Sequence, residues 1–230
     1  MAFMKILLTN DDGIDAPGLQ ALLAALPAGW MPIVIAPVGP QSGCSHSATT
    51  GRGVRIEERG ENRYAIHGTP VDCVRLGLHT IAPDVKWILS GVNHGGNLGA
   101  DVHYSGTVAA AREGAIHSKP GISFSHYKKK TREFDWHNIT RYTQRLLAEL
   151  MSRPLEVGEF WNVNYPHLGA EEPAPRLVDC ITDRHPLPLD YIPDAVGLLY
   201  SGDYHNRARA KGSDVDVCFG GNIAVAKLSI

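Results

Sequence analysis

The chain has 230 residues, 43% hydrophobic and 20% charged, the length and balance of an ordinary globular protein with a full hydrophobic core. Twenty-two Lys and Arg against 24 Asp and Glu leave a formal net charge of −2, which gives no electrostatic case for a nucleic acid polymer or an anionic membrane as partner. Cys44, Cys73, Cys180 and Cys218 are scattered without a C-x-x-C pair, so a zinc site, a redox motif and a disulfide scaffold are all excluded and a reducing, cytoplasmic setting is expected.

The N-terminal stretch MAFMKILLTNDDG has a short apolar run and no small-residue cleavage site, which reads as a strand rather than a leader. No run reaches the ~18 apolar residues of a membrane span. MKILL (4–8) is of strand length, and PGLQALLAAL (17–26) follows with leucines at 19, 22, 23 and 26, the spacing of an amphipathic helix opened by Pro17. PIVIAP (32–37) is a β-branched strand, and GVRIEERGENRYAIHG predicts a hairpin turning near residues 60–62. TPVDCVRLGLHTI opens a helix with Thr69 as N-cap and Pro70 at its first position. WILSGVN is a third core strand, SGTVAAAREGAIHS a helix and GISFS a further strand. KKK (128–130) reads as a solvated loop. Residues 135–151 carry a helical apolar face, FWNVNYP (160–166) is a strand, and residues 173–193 read as irregular or extended. The closing DVDVCFGGNIAVAKL has two alternating runs around Gly220 and Gly221, the pattern of a terminal hairpin.

Strand–helix repetition of this kind predicts an α/β fold, a Rossmann-like, mostly parallel sheet flanked by helices. Residues 1–230 form one domain on this reading, with a catalytic core over 1–180 and a C-terminal hairpin segment over 181–230 suited to oligomerisation. In such a sheet ligands bind where strands hand over to loops at their C-terminal ends. Three polar loops occupy those places: TNDDG, APVGPQSGCSHSAT (36–49) and SGVNHGGNLGADVHYSGT (90–107).

Asp11 and Asp12 suit a tight turn, since Asn, Asp and Gly tolerate its backbone geometry. They also suit a divalent ion, which would neutralise two adjacent carboxylates with oxygen donors. The third loop is rich in glycine and ends Ser105-Gly106-Thr107 at a predicted helix start, where unpaired N–H groups and the helix dipole favour an anion. A carboxylate pair facing a phosphate cradle is more specific than either part.

The motifs NDDG with Ala16-Pro17-Gly18, Ala36-Pro37 leading to Gln41-Ser42-Gly43, GTPVDCVRLGL (68–78) and SGVNHGGNLGADVHYSGTVAAAREG (90–114) together resemble the stationary-phase survival protein (SurE) family of nucleotidases. The resemblance runs in order over residues 4–125 and is looser beyond, where GSDVDVCFGGNIAVAKL is similar to the family's closing segment. It implies a metal-dependent phosphatase acting on nucleoside 5′-monophosphates, with 3′-monophosphates and short polyphosphate as further substrates. It implies one divalent cation per subunit, Mg²⁺ or Mn²⁺, held by Asp11, Asp12, Ser42 and Asn93, with Asp11 and Asp12 catalytic. Asn97, Ser105, Gly106 and Thr107 match the phosphate-binding loop. The family also exchanges a C-terminal arm between subunits, which implies a homodimer or homotetramer. Val38-Gly39-Pro40 stands where many relatives carry a more polar stretch, and His94 fills a position that varies.

Metal-assisted hydrolysis of a phosphate monoester follows, with charge stabilised at the helix N-terminus. Attack by an aspartate and attack by water both fit. His46, His94 and His103 fall in or near the loops, where a histidine can protonate a leaving alkoxide or merely face solvent. A phosphoacceptor domain would need an aspartate ending the third core strand, and WILSGVN has none; haloacid dehalogenase phosphatases need D-x-D, which NDDG is not. A non-catalytic metal- and nucleotide-binding module remains the alternative reading.

Overall fold

The computed structural model describes residues 4–129, 132–169 and 171–230; Lys130 and Thr131, part of the basic stretch read as a loop, lie outside the described residues. Among the described residues a nine-stranded sheet runs β3-β4-β2-β1-β5-β6-β7-β11-β8, where β1 is Met4–Thr9, β2 Trp30–Pro37, β3 Ile56–Glu58, β4 Arg63–Ile66, β5 Trp87–His94, β6 Gly121–His126, β7 Glu159–Tyr165, β8 Leu177–Cys180 and β11 Ile223–Ser229. From β4 through β7 neighbouring strands are parallel. β3 pairs antiparallel with β4, as the hairpin pattern predicts, and β11 antiparallel with β7.

Helices α1 (Pro17–Ala24), α2 (Pro70–Leu76), α3 (Gly106–Ile116) and α4 (Trp136–Ser152) cover the sheet. Because the parallel strands are buried on both faces, they read as apolar runs rather than alternations. One core cluster joins Leu8, Leu89, Phe124 and Val163 to Leu19, Leu147 and Leu150, and a second packs Leu7, Ile35 and Ile88 against Val74. The caps fall where the residue types place them. Thr69 and Asp72 form a reciprocal capping box on α2, and the Asp135 side chain accepts from Asn138 N at 3.0 Å to start α4. Strand β1 lies between β2 and β5, so the chain reverses its direction of travel across the sheet there. The crevice beyond the carboxyl ends of β1 and β5 is the switch point at which such sheets bind ligands.

The C-terminal reading needs correction. DVDVCF is not the first strand of a hairpin but helix α5 (Asp214–Phe219), and the apolar run after Gly221 is β11, inserted between β7 and β8 in the main sheet. Ser213 accepts from Asp216 N at 3.4 Å as its N-cap, Asp214 and Asp216 occupy the first turn, and Val215 and Cys218, three residues apart, share the buried face. Capping and first-turn acids override a period-two pattern only six residues long. A hairpin does exist in residues 181–230, but upstream: β9 (Tyr191–Asp194) pairs with β10 (Gly197–Tyr200) as a separate two-stranded ribbon. Residues 173–193, read as irregular or extended, thus hold β8 and most of β9.

Candidate active site

Asp11 and Asp12 follow β1 directly. The Asn10 carboxamide clasps this turn, donating to Gly13 O at 2.9 Å and accepting from Gly13 N at 3.3 Å, while Gly13 takes φ 107°, a left-handed geometry that favours glycine. The turn serves to present both carboxylates at the switch point, so the two readings of NDDG are compatible. An open cleft of about 450 Å³ is lined by Asp11, Asp12, Ser42, Asn93, Asn97 and Ser105. The three loops therefore converge.

Asp11 is 5% exposed and lies at the N-terminus of α3. Its Oδ1 accepts from the Thr107 hydroxyl, and a methyl group on Gly106 would stand 2.9 Å from Asp11 Cβ and 2.8 Å from Cys44 Sγ. Only glycine allows this approach. Burial pushes the Asp11 carboxyl up to about 6; the Thr107 hydrogen bonds pull it down and the charge of Asp12 raises it again. Burial and then the Asp11 charge lift the Cys44 thiol to about 11, so this cysteine stays protonated.

Asn93 commits its amide nitrogen to Gly95 O at 2.9 Å, which leaves the carboxamide oxygen for a ligand. Two carboxylates, one exposed hydroxyl and one carboxamide oxygen make a hard donor set that fits Mg²⁺ or Mn²⁺. Among the described residues no three His, Cys, Asp or Glu side chains converge on a metal position.

Ser105 accepts from Val108 N at 3.0 Å as the N-cap of α3. Thr107 is fully buried and spends its hydroxyl on Asp11, so it holds the carboxylate in place. Asn97 is fastened by buried polar groups: its Nδ2 donates to Ser125 Oγ at 2.7 Å, its N–H to Asn164 Oδ1 at 2.8 Å, and its carbonyl accepts from Asn162 and Asn164. Gly99 N donates to Asp214 Oδ2 at 2.9 Å, and Arg207, 5% exposed, clamps Asp101 of the 3-10 turn Gly99–His103. Asn162, Asn164, Asp214 and Arg207 were not legible as site residues. The two asparagines of FWNVNYP, two apart on a core strand and hence on one buried face, were the one signal available.

The three histidines separate. His46 hydrogen-bonds the buried Glu113 at 2.8 Å and His103 lines a different cavity. His94 is in the cleft, its Nδ1 3.2 Å from Asp12 Oδ2. Lys128 is exposed in a loop, as read, and lines the rim of the cleft, with Nζ 5.2 Å from the centre of the Phe134 ring.

A Rossmann-like sheet whose switch point joins a carboxylate pair to a helix N-terminus defines a class, the α/β proteins that place their site beyond the carboxyl ends of parallel strands. The particular family is settled by comparison. The family model for survival protein SurE matches residues 6–184, and the chain belongs to the SurE family. A Nostoc sp. protein named "Putative 5'-nucleotidase alr3139" is 51% identical over 227 residues, covering 99% of this chain and 100% of that protein. The 5'-nucleotidase SurE of Pelobacter propionicus is 42% identical over 176 residues, 76% of this chain and 71% of that protein. The crystal structure of SurE from Aquifex aeolicus superposes with a TM-score of 0.85 at 29% identity, covering 98% of this chain and 93% of that one. Among the described residues no helix is long and apolar enough to cross a membrane.

Proposed function

We propose that this chain is a metal-dependent 5′-nucleotidase that hydrolyses nucleoside monophosphates to nucleoside and phosphate. The observation that carries the reading is the Asp11–Asp12 pair set against the N-terminus of α3 in one cleft. The names of the relatives support the same activity. Asp11, Asp12, Ser42 and Asn93 would hold one Mg²⁺ or Mn²⁺, which when bound supplies positive charge at the phosphoryl oxygens and acidifies water. The backbone N–H groups at the start of α3, with Ser105 and Asn97 beside them, receive the phosphoryl oxygens and stabilise the charge that grows on them. Thr107 holds Asp11, and Lys128 adds the cationic side chain at the rim. The exposed β9–β10 ribbon is the segment by which copies of the chain associate as a dimer or tetramer. A cytoplasmic location accords with four free cysteines.

Release of inorganic phosphate from nucleoside 5′- and 3′-monophosphates and from short polyphosphate, with Mg²⁺, with Mn²⁺ and with EDTA, tests the reading. Metal-dependent turnover lost in EDTA is the expected result, and the panel ranks the substrates. Nucleotide binding without release under any condition would instead make the chain a binding module.

A further inference from the structure

Beyond the ligands themselves, the cleft has a wall contributed by the second half of the chain. Phe134 and Trp136 stack on one another at 5.1 Å and 16°. The ring of His94 meets both edge-on, 5.1 Å from Phe134 at 89° and 4.8 Å from Trp136 at 76°. Two edge-to-face contacts at these separations are favourable and fix both the position and the tilt of a ring. The wall is itself anchored. Phe134 stacks on the buried His167, which accepts from Lys129 N at 3.1 Å and donates to Glu133 O at 2.9 Å. Trp136 begins α4 and packs against the core cluster that holds Leu19 and Leu22 of α1 and Ile139 and Leu147 of α4.

So held, His94 meets Asp12 twice. Its backbone N–H donates to Asp12 Oδ2 at 3.1 Å, and ring Nδ1 stands within ion-pair distance, 3.2 Å, of the same oxygen. Both contacts fall on Oδ2 and restrain the carboxylate. Outer partners of this kind orient ligands and raise metal affinity by about 10–100-fold.

Resting on the proposed metal reading, we propose that His94 is a positioning residue for Asp12, and that Phe134 and Trp136 act through it as a remote support of the metal site. Helix α4, outside the motif-rich half, is thereby joined to the first carboxylate loop through a histidine.

The test is Mn²⁺ binding to the full, EDTA-stripped chain by titration calorimetry, with no substrate or turnover involved. His94→Ala should weaken binding about 10–100-fold. His94→Asn should stay within about threefold of the parent, because the asparagine amide can stand in place of ring Nδ1 and donate to Asp12 Oδ2. Trp136→Leu should weaken binding in the parent and have no further effect in His94→Ala, the non-additivity expected of residues acting through one contact. Melting curves on each variant identify any loss of fold. Unchanged affinity in a folded His94→Ala, or an equal effect of Trp136→Leu in both backgrounds, overturns the inference while the metal site stands. Failure of the parent chain to bind Mn²⁺ removes the metal reading itself, and this inference with it.

Discussion

Asp11 holds its charge against its surroundings. Its carboxyl is raised from 3.8 to about 6, first by burial. In the folded chain it therefore binds a proton more tightly than in the unfolded one. Below pH 3.8 both states are protonated and nothing is lost. Between 3.8 and 6 the unfolded state ionises first, so the metal-free protein loses stability as pH rises through this window, by about 3 kcal/mol at one pH unit per 1.36 kcal/mol. Asp11→Asn removes that loss while keeping an acceptor for Thr107. The variant should lose most phosphatase activity. In EDTA, denaturant titrations should show it more stable than the parent above pH 6 by on the order of 1–3 kcal/mol, with the gap closing near pH 4. A gap that does not change with pH would refute the assignment. The same proton competes with a divalent ion, so metal affinity should fall as pH drops through 6.

Helix α3 performs its function through its first turn, and that turn is set by how closely it can approach β1. Gly106→Ala would drive a methyl group to 2.8 Å from Cys44 Sγ and 2.9 Å from Asp11 Cβ. Neither neighbour can withdraw without moving a loop of the site. Overpacking of this kind costs about 1–3 kcal/mol, and a displaced Asp11 should lower kcat/KM about 100-fold. Steady-state kinetics beside a thermal melt separates the two effects; a variant with parental kinetics would show that the approach is not needed. Such elements were legible in the sequence because strand, loop and helix each carry their own signal: an apolar run, then NDDG or SGT, then an N-cap. Asp11 and Asp12 are readable on the same ground, lying just past β1, whereas Ser42, in the loop after β2, and Asn93, near the end of β5 itself, come only from the family resemblance. The supports were not. Asn162 and Asn164 act on Asn97 from β7, Asp214 on Gly99 from α5, and Trp136 on His94 from α4. Those pairings depend on the packing of distant segments, which no local pattern records. The α5 error is of the same kind, since six residues are too few for alternation to outweigh a cap.

At the scale of the whole molecule, the β9–β10 ribbon stands apart from an otherwise well-packed body. Val196 is 96% exposed and Leu198 71%, and Ile192, Leu199 and Tyr191 are each at least half exposed. A lone two-stranded ribbon is marginal in water, and so much exposed apolar surface is what the proposed contact between copies would cover. Val196→Asp with Leu198→Asp should shift the chain from oligomer to monomer in analytical ultracentrifugation while leaving the monomer folded. Unaltered sedimentation would exclude the ribbon as the contact. Its roots reach the cleft from both sides through Leu187 and Tyr204, and Asp183 and Asp214 bind the same segments together, Asp183 N donating to Asp214 Oδ1 at 2.8 Å, although burial alone would raise the Asp183 carboxyl. Hydrogen bonds from Ser213, His185 and Ala210 keep it well below the usual range.

The order of strands has a consequence for the chain while it is being made. Among the described residues β8 pairs only with β11, and β7 meets β11 on its outer side, yet the ribbon and α5 lie between β8 and β11 in the sequence. A chain in which β11 has not yet docked keeps the β7 edge open. An open strand edge is a template for wrong pairing.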